Sequence, residues 1–152
     1  MSDRLVIRPY EPRDEQDVID IWRRCDLVVP WNNPKQDIER KLKVNPELFL
    51  VGEIAGKLVA TCMAGYEGHR GWVNYLATDP DYMRRGIGAK MMKEAEARLL
   101  AMGCPKINLQ VRAGNRSVVE FYEAVGYELD DILNMGKRLK EDEPFTAEDG
   151  KP

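Results

Sequence analysis

Between Trp72 and Val111 the side-chain period of the chain changes twice. WVNYLAT reads as a strand. From about Gly88 to Met102 the chain reads as a helix, with Ile87, Met91, Met92, Ala95 and Leu99 on one stripe and Gly103 as its stop. KINLQVR then alternates as a strand again. Two strands joined through a helix have to pair in parallel. Elsewhere the strands follow one another directly: LFLVGEI and KLVATCMAGY are parted only by Ala55-Gly56, a hairpin signal. One parallel pair inside an otherwise antiparallel sheet is therefore the frame every other segment must fit.

Leu5 to Arg8 alternates and stops at Pro9, a short strand. Val18, Ile19, Ile21, Trp22 and Cys25 recur at helical spacing behind Asp14, Glu15 and Asp17, which suit a helix N-terminus. VVPWNNP breaks that helix, and a more polar one is expected from Lys35 to Asn45 with Ile38 and Leu42 inward. NRSVVEFYEAV reads as a helix closed by Gly126, and YELDDI and LNMGKRL as a final antiparallel pair. The order βααβββαβαββ describes an α/β (α+β) domain, with a mixed, mostly antiparallel central sheet flanked by helices. At 152 residues, 43% of them hydrophobic, one core is expected, spanning 1–139. The remainder, 140–152 (KEDEPFTAEDGKP), is acidic and poor in apolar residues, so disorder is expected there.

No apolar run approaches the roughly 20 residues of a membrane span. The start, MSDRLVIRPYEP, lacks the basic flank, apolar stretch and cleavage site of a signal peptide. A net charge of -3 with no basic block argues against a nucleic-acid partner. Cys25, Cys62 and Cys104 lie far apart without a C-x-x-C, so neither a disulfide framework nor a metal cage is expected. They read as buried thiols in a reducing cytoplasm.

The join between strand and helix, DPDYMRRGIGAKMM, carries two arginines and two glycines. The first turn of a helix presents N–H groups without internal partners and a partial positive charge. Gly86 and Gly88 would keep side chains away from those groups, and Arg84 and Arg85 add charge suited to phosphate. A P-loop would need Lys-Ser/Thr after the last glycine, where Ala89-Lys90 stands. The dinucleotide fingerprint would need a third glycine at Met91. An ordinary turn and helix cap would use the same five residues.

The join resembles the coenzyme A motif of the GNAT superfamily of acetyl-CoA-dependent N-acetyltransferases, Q/R-x-x-G-x-G/A after a strand ending in a phrase like LAVDP. Here LATDP precedes Met83-Arg84-Arg85-Gly86-Ile87-Gly88. Both glycines match; Met83 stands where the family has Gln or Arg, and Arg84 where glycine is common. A second match is N-x₆-Y followed by G-Y/F: Asn115, Tyr122, Gly126 and Tyr127. Residues seven apart share a helical face, so Asn115 and Tyr122 can line one groove. RCDLVVPWNNP, GYEGHRG and GCPKI further resemble the small bacterial YpeA-type acetyltransferases of unassigned substrate.

The resemblance implies a single-domain GNAT-like fold whose sheet splays between WVNYLAT and KINLQVR to admit acetyl-CoA as co-substrate. Its contacts would be Leu76, Ala77, Thr78, Arg84, Arg85, Gly86, Ile87, Gly88, Ala89, Asn115 and Tyr122. A backbone N–H aimed at the thioester oxygen would be worth about 3 kcal/mol. Tyr122 would act as the acid on the thiolate side. With pKa values near 10 for a phenol and 8.5 for a thiol, full proton transfer is uphill by about 2 kcal/mol. A hydrogen bond, transfer before the thiol has fully left, or a relay from the amine remain open. A lysine-like acceptor amine is neutral about once in a thousand at pH 7, so a base or a dry pocket is needed.

WVNYLAT carries no carboxylate. The candidates for the base are Glu67 and His69 in the loop ahead of it, or water alone. The resemblance also puts Trp31 at the wall of the acceptor pocket, with a structural role packed on the sheet as the alternative. The expected acceptor is a small-molecule or peptide amine, with -3 net charge favouring a cationic one. Exposed strand edges would allow a homodimer. The competing reading is a non-catalytic acyl-CoA-binding regulatory module, for which Tyr122 would have no use.

Overall fold

The computed structural model describes residues 4–146 of the chain. Five strands form one sheet in the order β1-β2-β3-β4-β5: β1 Leu5–Pro9, β2 Phe49–Ile54, β3 Lys57–Tyr66, β4 Gly71–Thr78 and β5 Ile107–Leu109. The first three pairings are antiparallel, and only β4–β5 is parallel. β2 and β3 meet through Ala55 and Gly56, both left-handed at φ 51° and 79°, the backbone of a type I′ turn. α3, Ile87–Ala101, makes the crossover from β4 to β5. This mixed, mostly antiparallel sheet with flanking helices is the single-domain architecture expected.

Helices cover both faces. α1 (Glu15–Arg24) and α2 (Pro34–Lys41) bury Val18, Ile19, Ile21, Trp22 and Ile38 against Phe49, Val51, Met63 and Ala77. On the other face α3 buries Ile87, Met91, Met92, Ala95 and Leu99 against Leu50, Ala60, Cys62, Ala64 and Val73. α4, Arg116–Ala124, leans on this second cluster through Phe121 and Tyr122. Strands covered on both faces need apolar residues at consecutive positions. That is why β3 is buried without interruption from Leu58 to Ala64.

α2 begins where Asn33 Oδ1 accepts from the amides of Lys35 (2.9 Å) and Gln36 (3.3 Å), with Pro34 at the first helical position. It ends at Lys41, earlier than the expected Asn45, because the chain turns and Asn45 takes a left-handed φ of 48° before Pro46. The C-terminal region departs further. YELDDI and LNMGKRL form no strands. β5 is only three residues long, so a strand laid beside it would find little ladder to join. The segment is tied there by side chains instead, Lys106 to Asp130 at 2.8 Å and Gln110 to Asn134.

Of the stretch expected as a disordered tail, residues 140–146 contact α2. Asp142 accepts from the Asn33 amide (2.8 Å) and pairs with Arg40 (3.1 Å) and Arg138 (3.3 Å). The Glu143 amide donates to Gln36 Oε1 at 2.8 Å, and Phe145 packs beside the α1–α2 cluster. Residues 147–152 lie outside the described residues.

Candidate active site

β4 is irregular at its centre. Thr61 pairs with Ala77 and Met63 with Asn74, so Tyr75 and Leu76 together oppose the single residue Cys62. This is a β-bulge. Its hinge is Tyr75, held at φ 52°, a left-handed conformation that is costly for an aromatic residue. Three contacts hold it. The Tyr75 ring stacks on the buried Trp22 at 3.7 Å between centroids and 13° between planes. Its carbonyl accepts from Thr61 Oγ1 at 2.7 Å, and Thr61 Oγ1 in turn accepts from Trp22 Nε1 at 2.9 Å. Its hydroxyl donates to Asp37 Oδ2 on α2 at 2.6 Å. Burial and then Asp37 push the Tyr75 phenol well above its ordinary pKa, so it stays a donor.

β4 and β5 pair only over Gly71–Val73 and Ile107–Leu109. From Asn74 onward β4 has no strand on that side among the described residues. The gap is a cavity of about 1420 Å³ between β4, β5 and α4, reaching α2. Leu76, Asn115 and Tyr122 line it.

The arginine–glycine loop lies against the end of β4. Gly86 adopts φ 73° and caps α3 in open space, and Arg84 is left-handed at φ 65°. Gly88 has a different task. A Cβ there would lie 3.1 Å from Phe121 Cζ and 3.9 Å from Thr78 Oγ1, so it lets α4 and β4 close on the start of α3. The Arg85 guanidinium sits 4.8 Å over the Tyr82 ring, with the Lys57 ammonium 5.0 Å from the same ring. Arg84, Arg85, Gly86, Ile87, Gly88 and Ala89 thus gather at the N-terminus of a 15-residue helix. They do not line the large cavity, and neither do Ala77 and Thr78.

Asn115 caps α4, accepting from the Val118 amide at 3.4 Å. Tyr122 makes edge-on contacts with Phe121 (5.1 Å) and Tyr127 (5.8 Å), and Tyr127 donates to Glu96 Oε2 at 2.7 Å. The Tyr122 hydroxyl has no hydrogen-bond partner among the described residues. Burial, helped by the nearby Cys62 thiol, pushes its pKa up to about 12.

Two expected residues stand apart from this arrangement. Glu67 is exposed in the β3–β4 loop and accepts from the amides of His69 and Arg70, which hold its carboxylate below the ordinary range. It caps a turn and does not line the cavity; exposed His69 belongs to the same turn. Trp31 is 53% exposed beneath the Arg112 guanidinium at 5.7 Å, and its neighbours Val29 and Asn32 line the cavity in its place. Nothing in the sequence marks Tyr75, Thr61 and Asp37 as a unit, because they lie on three elements. Among the described residues no group of His, Cys, Asp or Glu could hold a metal ion.

The family model described as "Acetyltransferase (GNAT) family" matches residues 16–127. The chain is 50% identical over 142 residues to Acetyltransferase SG1711 of Sodalis glossinidius, covering 93% of this chain and all of that one. Among solved structures it resembles Ard1 from Thermoplasma volcanium, with a TM-score of 0.75 at 21% identity over 83% of this chain and 84% of that one. It also resembles AAC(6')-Iy, solved in complex with the bisubstrate analog CoA-S-monomethyl-acetylneamine. There the TM-score is 0.73 at 14% identity over 89% and 99% of the two chains.

Proposed function

Since the chain belongs to the acetyltransferase (GNAT) family and is thereby an acyltransferase, we propose that it moves the acetyl group of acetyl-CoA to a primary amine by direct attack in a ternary complex. The observation that carries this reading is the bulge at Tyr75–Leu76, where β4 leaves β5 and opens a cavity lined by Tyr122, whose hydroxyl has no hydrogen-bond partner among the described residues.

Acetyl-CoA supplies an acyl thioester, and the residues fit it in three places. The start of α3 offers free amide groups, and Arg84 and Arg85 offer charge, to the diphosphate. Backbone groups of Leu76, Ala77 and Thr78 lie along the unpaired edge of β4, where an amide can face the thioester oxygen. Tyr122 faces the sulfur as a hydrogen-bond donor. A phenol at about 12 against a thiol near 8.5 makes complete proton transfer uphill by about 5 kcal/mol. Tyr122 therefore steadies the departing thiolate while keeping its own proton. With Glu67 tied into its turn, the acceptor's proton leaves through water in the cavity.

Calorimetric titration with coenzyme A tests the first part, and thiol release from acetyl-CoA across an amine panel tests the second. Micromolar binding together with amine-dependent thiol release is expected. Absence of coenzyme binding would overturn the reading; binding without release to any amine would favour a regulatory acyl-CoA-binding module.

A further inference from the structure

The α2 end of the cavity holds a cation without a counter-ion among the described residues. Lys41 is the last residue of α2, one helical turn beyond Asp37 and on the same face. Its Nζ rests over the β3 backbone at Gly65, where a Cβ would come within 3.3 Å of it. Gly65 pairs with Trp72, and both Trp72 and Lys41 line the cavity. The ammonium thus sits on the α1–α2 side of the sheet, up β4 from the bulge.

The charges around it are accounted for. Arg40 is held by Asp37 (2.7 Å) and Asp142 (3.1 Å), and the other oxygen of Asp37 accepts from Tyr75. Glu47 acts on Lys41 only at a distance, and Lys41 Nζ makes no hydrogen bond or ion pair with the described residues. Burial draws the lysine's pKa below its ordinary value. A half-buried charge left in this way destabilises the free protein, and a methionine would fill the same space without that cost. An anion arriving with a ligand would offset it.

We propose that Lys41 is a specificity residue that binds a carboxylate of the acceptor, so that the acceptor is an amine carrying an acid group. The inference rests on the transferase reading of the same cavity. Its spacing follows from the strand. Four residues separate Trp72 from Leu76, about 13 Å of extended chain. A carboxylate on Lys41 and an amine at Leu76 are therefore on the order of 10 Å apart. That excludes free α-amino acids and matches a short peptide.

The test compares glycine, diglycine, triglycine and tetraglycine with their C-terminal amides as acceptors for the wild-type protein, Lys41→Met and Lys41→Arg. Calorimetry of the N-acetylated peptides on the coenzyme A-loaded protein reads the same preference without turnover. The acid member of the tri- and tetrapeptide pairs is expected to be favoured about 10-fold or more over its amide, through KM. Lys41→Met should bring that ratio close to one, and Lys41→Arg should restore part of it. Coenzyme A affinity should stay as in the wild type. Equal use of acids and amides by the wild-type protein, or a preference that survives Lys41→Met, overturns the inference and leaves the transferase reading intact. A preference for acetylated acids in the binding measurement that is lost in Lys41→Met, with no thiol release to any amine, keeps Lys41 as a carboxylate site and overturns the transferase reading, and with it the acceptor role.

Discussion

Tyr122 and the two glycines of the arginine loop show how much depends on single residues. Tyr122→Phe removes a donor that no other described residue replaces, so kcat should fall about 10- to 100-fold, while the Kd for acetyl-CoA, read by calorimetry, stays within about threefold. Because the phenol titrates only near 12, the wild-type pH–rate profile should show no fall attributable to Tyr122 as pH rises to 10. A descending limb that disappears in Tyr122→Phe would contradict the assignment. The glycines should fail differently. Gly88→Val presses on Phe121 and should lower stability by about 1–3 kcal/mol in chemical denaturation. Gly86→Ala meets no atom but must hold φ 73°, a cost of about 1 kcal/mol. Sequence alone gave both glycines one purpose, since it cannot show that α4 closes over one and not the other.

At the scale of elements, the junctions around β1 and α2 carry identifiable stability. Asp14 is buried before α1, paired with Arg8 at 2.8 Å and accepting from the Glu11 amide at 2.8 Å. Burial alone would raise its pKa, but Arg8 and the Glu11 amide outweigh it, and the carboxyl lies below its ordinary value. A depressed carboxylate contributes stability above its unfolded pKa, near 3.9, and loses it as pH falls through the folded value. Asp14→Asn should therefore cost about 3 kcal/mol at pH 7 and much less at pH 2, as read by denaturant midpoints. Asn33→Ala, which removes the α2 cap and the bond from Asn33 Nδ2 to the Glu143 carbonyl, should cost about 1–2 kcal/mol. Legibility varied by element for a physical reason. β3 is readable as Lys57–Tyr66 because burial on both faces leaves a continuous apolar run. The alternation in YELDDI is equally visible, yet pairing depends on a neighbouring edge, and β5 offers only three residues. Nothing within YELDDI records that length.

Across the whole molecule, charge and distant segments cooperate. Residues 140–146 span from Asp142 on Arg40 to Phe145 beside the α1–α2 cluster, so truncation after Leu139 should lower Tm by several degrees, measured by calorimetry. An unchanged Tm would mean those contacts contribute nothing net. The acidic composition that suggested disorder is real, but the sequence does not advertise that Arg40 and the Asn33 amide await one of those carboxylates. The bulge in β4 has a wider effect. Val73 faces the α3 cluster while Tyr75 and Ala77 face the α1–α2 cluster, although an unbroken strand would put all three on one side. The strand thus keeps two reading frames, one above the extra residue and one below. Deleting Tyr75 would merge them, because Leu76 would then stand alone opposite Cys62, and Val73, Leu76 and Ala77 would alternate on the layers they already face. A one-residue loss would therefore straighten the strand and leave both layers in place, so the room for a ligand hangs on a single inserted residue and on the Trp22, Thr61 and Asp37 contacts that hold it.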